Sequence, residues 1–139
     1  MSAEENKTLA RRFFHEFDRR NLAALDSVFA PDYVFHVPGS PGPMNWEAHK
    51  QFAGMFYEAF PDLAHTIEDQ VADGDRVATR IVFRGTHRGD LMGIPASGKQ
   101  VAMSGIAIHR VVAGKFAEEW VNFDQLGLLQ QIGAIPTPG

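Results

Sequence analysis

A change of hydrophobic period near Pro61 constrains most what this chain can fold into. Before that point apolar residues recur every three or four positions, which is typical of amphipathic helices. This spacing predicts helices over Glu4–Arg20 and Asn45–Ala59. A shorter helix is expected from Asn21 to Ala30-Pro31, because the residue before a proline avoids the helical region. A short strand is predicted from Tyr33 to Val37.

After Pro61 the apolar residues alternate with polar ones, which predicts strands. The predicted strands are Leu63–Val71, Arg76–His87, Gln100–Val112 and Lys115–Phe123. Gly-containing turns join the first two and the last two, so neighbouring strands are expected to be antiparallel. Helices followed by a strand meander indicate an α+β fold whose curved sheet packs helices on one face. A length of 139 residues suits one domain, expected over 1–139.

The charge, cysteine content and apolar content of the chain limit which partners and compartments are expected. The net charge is −4 and no cluster of Lys and Arg is present, so nucleic acid is not an expected partner. The absence of cysteine excludes disulfides, thiolate metal sites and cysteine nucleophiles, and it fits a reducing compartment. The acidic start lacks the pattern of a signal peptide, and no apolar stretch approaches membrane-spanning length. We therefore expect a cytoplasmic protein that does not bind membranes.

The last predicted strand carries an unusual mixture of aromatic and polar residues. Strict alternation places one set of side chains on a shared face: Phe116, Glu118, Trp120, Asn122 and Asp124. We expect this face to form one wall of a pocket. The opposite face, which carries Ala117, Glu119, Val121 and Phe123, is expected to serve packing.

Asp124 is the sharpest catalytic candidate in the sequence. A carboxylate at the end of an inward row beside Trp120 would be partly desolvated, which raises its pKa toward a useful acid/base range. The alternative is a helix cap, because Asp is a favoured capping residue and the following residues are good helix formers. The pattern alone favours the cap.

The histidines offer further groups that titrate near neutral pH. His36 and His87 fall near predicted strand ends, where side chains can reach the mouth of a cavity. For each of them a hydrogen-bonded structural role remains the alternative to catalysis. His49 lies on the third predicted helix and is expected to be solvated. No pair of histidines has a metal-binding spacing, so we expect no metal site.

Arg80 belongs to a row of arginines on one face of its strand. This row is either a solvated basic stripe, or Arg80 turns inward and pairs with a carboxylate such as Asp124 or Glu118. The sequence contains no nucleophile elbow, phosphate-binding loop or dinucleotide fingerprint. General acid/base chemistry without a cofactor is what remains.

Several short signatures occur together in a characteristic order. They are Asp32–His36 with Pro38, Phe60–Asp62, Gly74–Val77, Gly85–His87 with Gly89, Gly93–Pro95 before Gly98-Lys99, and Gly114-Lys115, Glu118, Trp120, Asp124 and Gln130–Gly133. In their order and spacing they resemble the SnoaL-like polyketide cyclases of the NTF2-like superfamily, over nearly the whole chain.

The resemblance implies a cone in which a curved antiparallel sheet wraps around N-terminal helices, commonly in a homodimer. It implies that Asp124 acts as general acid/base in an intramolecular aldol closure of a polyketide ester, with no metal or cofactor. It also implies that His36 and Trp120, with His87 or Arg80, line the pocket and orient a hydrophobic small-molecule substrate. Asn122 is expected in the same wall.

The same fold hosts other functions, so alternatives stay open. Epoxide hydrolysis would be favoured by an inward Arg80 bonded to Asp124, and double-bond isomerisation also uses carboxylates in such cones. A non-catalytic small-molecule binding or dimerisation module would use Asp124 only as a cap.

Overall fold

The computed structural model describes residues 2–137. Its helices are α1 (Ala3–Asp18), a 3₁₀ helix (Leu22–Val28), α2 (Trp46–Ala59) and α3 (Gln125–Gln131). Its strands are β1 (Phe29–His36), β2 (Ala64–Asp73), β3 (Arg76–Thr86), β4 (Gln100–Val112) and β5 (Lys115–Phe123). The predicted α+β class is confirmed. Among residues 2–137, no helix has the length and apolar character needed to cross a bilayer.

The five strands form one sheet in the order β1-β5-β4-β3-β2. Strands β2 to β5 make the predicted antiparallel meander. β1 joins the sheet at its edge by pairing in parallel with β5, and His36 lies beside Trp120 in that register. This parallel pair was not predicted, because the two strands are separated by most of the chain.

Local signals set the helix starts. The Ser2 side chain accepts a hydrogen bond from the Glu5 backbone N–H, and Glu5 bonds back to the Ser2 N–H, which forms a capping box. At α2 the Asn45 side chain accepts from the Ala48 N–H at 2.9 Å. These bonds satisfy backbone donors that the first helical turn leaves without partners.

The predicted helix after Asn21 is a 3₁₀ helix and ends earlier than expected. β1 begins at Phe29 and contains Pro31, although the sequence suggested that the helix reached Ala30. An edge strand tolerates a proline because its outer N–H groups need no ladder partner. Asn21 makes no cap hydrogen bond; its side chain donates to Glu16 Oε2 at 2.8 Å instead.

Phenylalanine dominates the interior between the sheet and the helices. The larger cluster packs side chains of α1, the 3₁₀ helix and the inner face of the sheet, and it includes Phe13, Phe14, Leu25, Phe29, Phe35, Ile81, Phe116 and Val121. A second cluster lies toward α3 and the end of α2 and includes Phe56, Phe60, Phe83, Met103, Leu128 and Ile132. Edge-to-face ring pairs are frequent in both.

A bulge in β5 reverses the predicted assignment of its faces. Arg110 pairs with Glu118 while Val111 pairs with Phe116, so Ala117 is an extra residue opposite no partner. Phe116 therefore points inward as predicted, but from Glu118 onward the alternation is inverted. Glu119 and Val121 are buried, while the even-numbered residues from 118 to 122 face outward. The prediction that this set forms a pocket wall is wrong, because it assumed strict alternation.

Gly89 lies close to the end of α2, and a substitution there tests how tightly the loop after β3 packs on that helix. The amides of Arg88 and Gly89 both donate to the Ala59 carbonyl, and a Cβ on Gly89 would overlap the Glu58 carbonyl oxygen. Gly89→Ala is expected to lower the free energy of unfolding by about 1–3 kcal/mol, because a backbone carbonyl cannot move aside freely. Urea denaturation measures the change.

Gly54→Ala is the matched control for that substitution. Gly54 lies inside α2 with open space where a Cβ would sit. Alanine is expected to stabilise the protein there by about 0.5–1 kcal/mol. Equal effects of the two substitutions would contradict the close approach at Gly89.

Candidate active site

An apolar cleft opens at one end of the cone, between residues 37–44, α2 and α3. It has a volume of about 330 Å³. Its lining is Val37, Pro38, Gly39, Ser40, Pro41, Met44, Phe52, Met55, Phe56, Met92, Met103, Phe123, Gln125, Leu128 and Leu129. This volume lies within the range of about 300–1,000 Å³ that small-molecule sites occupy. We call it the outer cleft.

A smaller cavity lies deeper in the cone and adjoins the outer cleft. Its volume is about 40 Å³, and phenylalanines of α1, α2 and the sheet surround it. The two spaces share four lining residues, Phe52, Phe56, Met103 and Phe123. The inner cavity also meets three polar side chains, His49, His65 and Glu119. The outer cleft and the inner cavity therefore adjoin across apolar side chains, and the inner cavity reaches buried titratable groups.

Glu119 is the centre of a buried polar cluster. Its side chain is 3% exposed, and its Oε1 accepts a hydrogen bond from the Tyr33 hydroxyl at 3.2 Å. The same hydroxyl lies 2.9 Å from His49 Nδ1. His109 Nε2 lies 3.0 Å from Glu119 Oε1 but is not aligned for a hydrogen bond, and its Nδ1 is buried without a partner. We call these four residues the Glu119 cluster.

Burial and mutual interaction set the pKa values in the cluster. Burial acts most strongly on Glu119 and raises its pKa, but the interactions with His109, His49 and Tyr33 together outweigh it and hold the pKa below its usual value. Burial lowers the pKa of His49 to about 4. Burial, with the neighbouring Glu119 charge, raises the pKa of Tyr33 well above its usual value. At neutral pH Glu119 is therefore ionised, while His49 and Tyr33 are neutral.

These charge states fix where the protons lie. An ionised carboxylate only accepts hydrogen bonds, so the single Tyr33 hydroxyl proton points to Glu119. The Tyr33 oxygen then faces His49 Nδ1, which must carry the imidazole proton in order to donate to it. Neutral His49 consequently presents an unprotonated Nε2, an acceptor. His49 also stacks on Phe35 with ring centroids 3.7 Å apart, which holds the imidazole plane.

His65 is the third polar residue of the inner cavity. Its Nδ1 lies 2.7 Å from Asp18 Oδ1, and its backbone N–H donates to Asp18 Oδ2 at 2.8 Å. Asp18 closes α1, so this double contact joins the helix to β2. Within residues 2–137, no three His, Asp or Glu side chains converge in a geometry that could hold a metal ion.

Asp124 lies at the N-terminus of α3. Its Oδ1 accepts a hydrogen bond from the Gly127 N–H at 2.9 Å, so it caps the helix as the local pattern favours. The side chain is exposed, and its neighbours Phe123 and Gln125 line the outer cleft. Asp124 therefore lies at the edge of the outer cleft without lining it, and it does not line the inner cavity that Glu119 contacts. Its catalytic role stays a prediction.

Three of the predicted substrate-binding residues lie on the outer face of the sheet. His36 Nε2 contacts Glu118 Oε2 at 2.6 Å, and the His36 ring stacks on Trp120 with centroids 5.4 Å apart. Arg76 covers the other side of that indole, and Asn122 is exposed. The expectation that His36, Trp120 and Asn122 line the pocket is wrong, because the bulge turns this row outward.

The other two predicted substrate-binding residues also lie away from the cleft. Arg80 is exposed and pairs with Asp69 at 2.9 Å, so the basic row is the solvated stripe and not a partner of Asp124. His87 is fully buried, with Nδ1 accepting from the Ser97 N–H at 3.1 Å and Nε2 unpartnered. It fixes the loop before β4 and is not among the residues that line either space.

The Glu119 cluster was not predicted from the sequence. His49 was expected to be solvated, but it is buried. Its spacing to Phe52 and Phe56 places it on the apolar stripe of α2, and this signal could have revealed it. Glu119 was assigned to a packing face because the bulge is not visible in the sequence. Tyr33 and His109 carry no local signal, since their shared partner is distant in sequence.

The fold and the cleft define a class: an α+β protein whose curved sheet and helices enclose an apolar cavity with buried titratable groups. Comparisons with known proteins agree with it. The family model of SnoaL-like polyketide cyclases matches residues 8–132. The curated relative DnrD of Streptomyces peucetius, an aklanonic acid methyl ester cyclase, is 32% identical over 110 residues, which cover 78% of this chain and 74% of DnrD.

Solved structures give the same result. IdmH of Streptomyces antibioticus, provisionally described as a polyketide cyclase, is 33% identical with a TM-score of 0.84, covering 92% of this chain and 98% of IdmH. AclR of Streptomyces galilaeus, provisionally described as a hydroxylase, is 28% identical with a TM-score of 0.89, covering 99% of this chain and 87% of AclR. The chain belongs to the SnoaL-like polyketide cyclase family.

The buried His49 predicts a particular dependence of stability on pH. The pKa of His49 is about 4 in the folded protein and about 6.5 in the unfolded chain. Between these two pH values the unfolded chain is protonated at His49 and the folded protein is not. Stability is therefore expected to fall as pH decreases from about 6.5 to about 5, by up to about 1.4 kcal/mol per pH unit from this group. Urea denaturation across this range, in wild type and His49→Phe, measures the slope.

His49→Phe keeps a flat ring on Phe35 and removes the titrating group, so its slope is expected to be shallower. His15→Gln removes an exposed histidine and controls for loss of a histidine as such. A slope in His49→Phe as steep as in wild type would contradict a neutral, buried His49.

Proposed function

We propose that this protein is a cofactor-independent cyclase that closes a ring in a hydrophobic polyketide ester by intramolecular aldol chemistry. The observation that carries the proposal is an apolar cleft of about 330 Å³ with Asp124 at its edge, between the lining residues Phe123 and Gln125, in a chain of the SnoaL-like polyketide cyclase family. The relative DnrD, which is named for a methyl ester substrate, supports an ester.

In this proposal Asp124 is the general base. Its carboxylate removes a C–H proton next to a carbonyl, and the resulting enolate carbon attacks a second carbonyl of the same molecule. One carbon–carbon bond forms, and the new alkoxide takes up a proton, so the ring closes without loss of atoms. The position of Asp124 between Phe123 and Gln125, which both line the cleft, supports this role.

The cleft chemistry suits such a substrate. Aromatic and methionine side chains provide a surface on which a flat conjugated molecule can pack. Epoxide hydrolysis is not favoured, because its expected Arg80 partner points to solvent and pairs with Asp69.

The Asp124 proposal is tested by turnover of polyketide-like β-carbonyl methyl esters. Asp124→Asn is expected to lower kcat by about 10²–10⁴, since a neutral amide cannot accept the proton. Asparagine caps helices as well as aspartate does, so this variant should keep wild-type stability, whereas Asp124→Ala should lose about 1 kcal/mol. The pair separates chemistry from capping.

Asp69→Asn is the control for this test, because it removes an exposed carboxylate of the outer face. It is expected to keep wild-type kcat. Undiminished turnover in Asp124→Asn would refute the assignment and leave Asp124 as a helix cap.

We also propose a cytoplasmic homodimer paired through the outer face of the sheet. The strand registers align Trp120, Ile108, Ala78 and Val71 in one row across four strands. Ile106 lies beside this row, and both Val71 and Ile106 are strongly exposed. Contiguous exposed apolar surface on a sheet supports an interface between copies.

The proposed dimer is tested with the double variant Val71→Lys, Ile106→Lys. Wild type is expected to show twice the chain mass of 15.4 kDa in light scattering, and the variant the single mass, because charges would be desolvated in the interface. Gln51→Lys, at an exposed position on α2, is the control for added charge. A variant that remains dimeric would place the interface elsewhere.

A further inference from the structure

The inner cavity has a chemistry of its own. We propose that it is a subsite for a hydroxyl group, so that the substrate enters with a phenolic or enolic O–H at its innermost end. This inference rests on the proposed function in one respect, since it takes the outer cleft as the place where the rest of the substrate lies.

The free polar atoms of the cavity are acceptors. His49 donates through Nδ1 to Tyr33, so its Nε2 lone pair is available, and no group within residues 2–137 donates to it. Glu119 accepts the Tyr33 hydroxyl at Oε1, near which His109 Nε2 lies, and its Oε2 accepts no hydrogen bond from these residues. His65 is engaged with Asp18 through its Nδ1, so the acceptors that this inference uses are His49 Nε2 and Glu119 Oε2.

The acceptor pair of His49 Nε2 and Glu119 Oε2 discriminates between oxygen functions of a ligand. A carbonyl or ester oxygen would bring lone pairs against lone pairs and leave buried acceptors unpaired, which is costly. A hydroxyl donates its proton and satisfies one of them. Sites that hydrogen-bond a ligand hydroxyl reject analogues without it much more strongly than apolar sites distinguish added methylenes.

The size of the cavity matches this assignment. A volume of about 40 Å³ accommodates a group the size of a water molecule or hydroxyl, but not a ring. The throat formed by Phe52, Phe56, Met103 and Phe123 is apolar, so the ring that carries the hydroxyl would pack there. The hydroxyl would thus set how far the substrate enters, with the ester end left in the outer cleft.

The Glu119 cluster holds this acceptor in place. Tyr33 accepts a hydrogen bond from His49 Nδ1–H and donates its hydroxyl to Glu119, so the tautomer of His49 depends on the carboxylate charge. Stacking on Phe35 fixes the ring plane. Glu119 and Tyr33 are in this sense positioning residues for His49 Nε2.

Binding of 2-naphthol and of 2-methoxynaphthalene tests the subsite. The two probes share the ring system, but only the naphthol has a proton to donate. Calorimetry on wild type is expected to show at least ten-fold tighter binding of the naphthol, about 1.4 kcal/mol. In His49→Phe the preference is expected to fall to about one, and Asp69→Asn should keep the wild-type preference.

A second measurement does not depend on a variant. In ¹⁵N-histidine-labelled wild type, naphthol is expected to shift one unprotonated Nε2 resonance, and the methyl ether is not. Equal affinities of the two probes, no binding of either at the solubility limit, or a preference that survives in His49→Phe would each overturn the subsite.

Asp124→Asn separates this inference from the proposed function. The variant is expected to keep the naphthol preference, because Asp124 lies at the mouth and not in the inner cavity. A naphthol preference with full turnover in Asp124→Asn would sustain the subsite and refute the base. Loss of turnover in Asp124→Asn together with equal binding of the two probes would support Asp124 as the base and refute the hydroxyl subsite.

Discussion

The pairing of the buried Glu119 carboxylate is the constraint on which the rest of the interior depends. An ionised carboxylate without water is costly unless donors surround it, and removing one partner of such a group is strongly destabilising. Tyr33, His49 and His109 supply the surroundings from β1, α2 and β4. Because these elements are far apart in the chain, the cluster can form only when the edge strand, the helix and the meander are assembled together. Phenylalanine side chains pack with little directionality and do not by themselves select one arrangement of these elements. The Glu119 cluster therefore specifies that arrangement.

The bulge at Ala117 decides what the interior contains. A regular β5 would turn Trp120 inward and Glu119 outward, and the cone would have an aromatic wall with no buried acid. With one extra residue, Glu119 meets Tyr33 and His109, while Trp120 joins His36 and Arg76 on the outer face. One extra residue in β5 thus places Glu119 and Trp120 on the faces opposite to those that strict alternation predicts.

The fold could be predicted from the sequence much further than the site could. The change of period near Pro61 and the Gly-containing turns are local signals, and they predicted α1, α2 and the meander correctly, whereas the helix after Asn21 is a 3₁₀ helix that ends before Phe29. Two features depend on contacts between residues that are distant in sequence: the parallel pairing of β1 with β5, and the bulge in β5. No local sequence signal predicts either of them. The prediction of His36, Trp120 and Asn122 as pocket residues failed for that reason. The burial of His49 was within reach, because its spacing to Phe52 follows the apolar stripe of its helix.

Methionines make the outer cleft more tolerant of substitution than the Glu119 cluster. Met44, Met55 and Met92 line the outer cleft and not the inner cavity, and their unbranched thioether side chains adapt to ligand shape. At the other end, hydrogen bonds and stacked rings fix each position of the Glu119 cluster. Substitutions that remodel the mouth can accumulate without disturbing the interior, so new substrate ranges can evolve there while the proton arrangement inside is inherited unchanged.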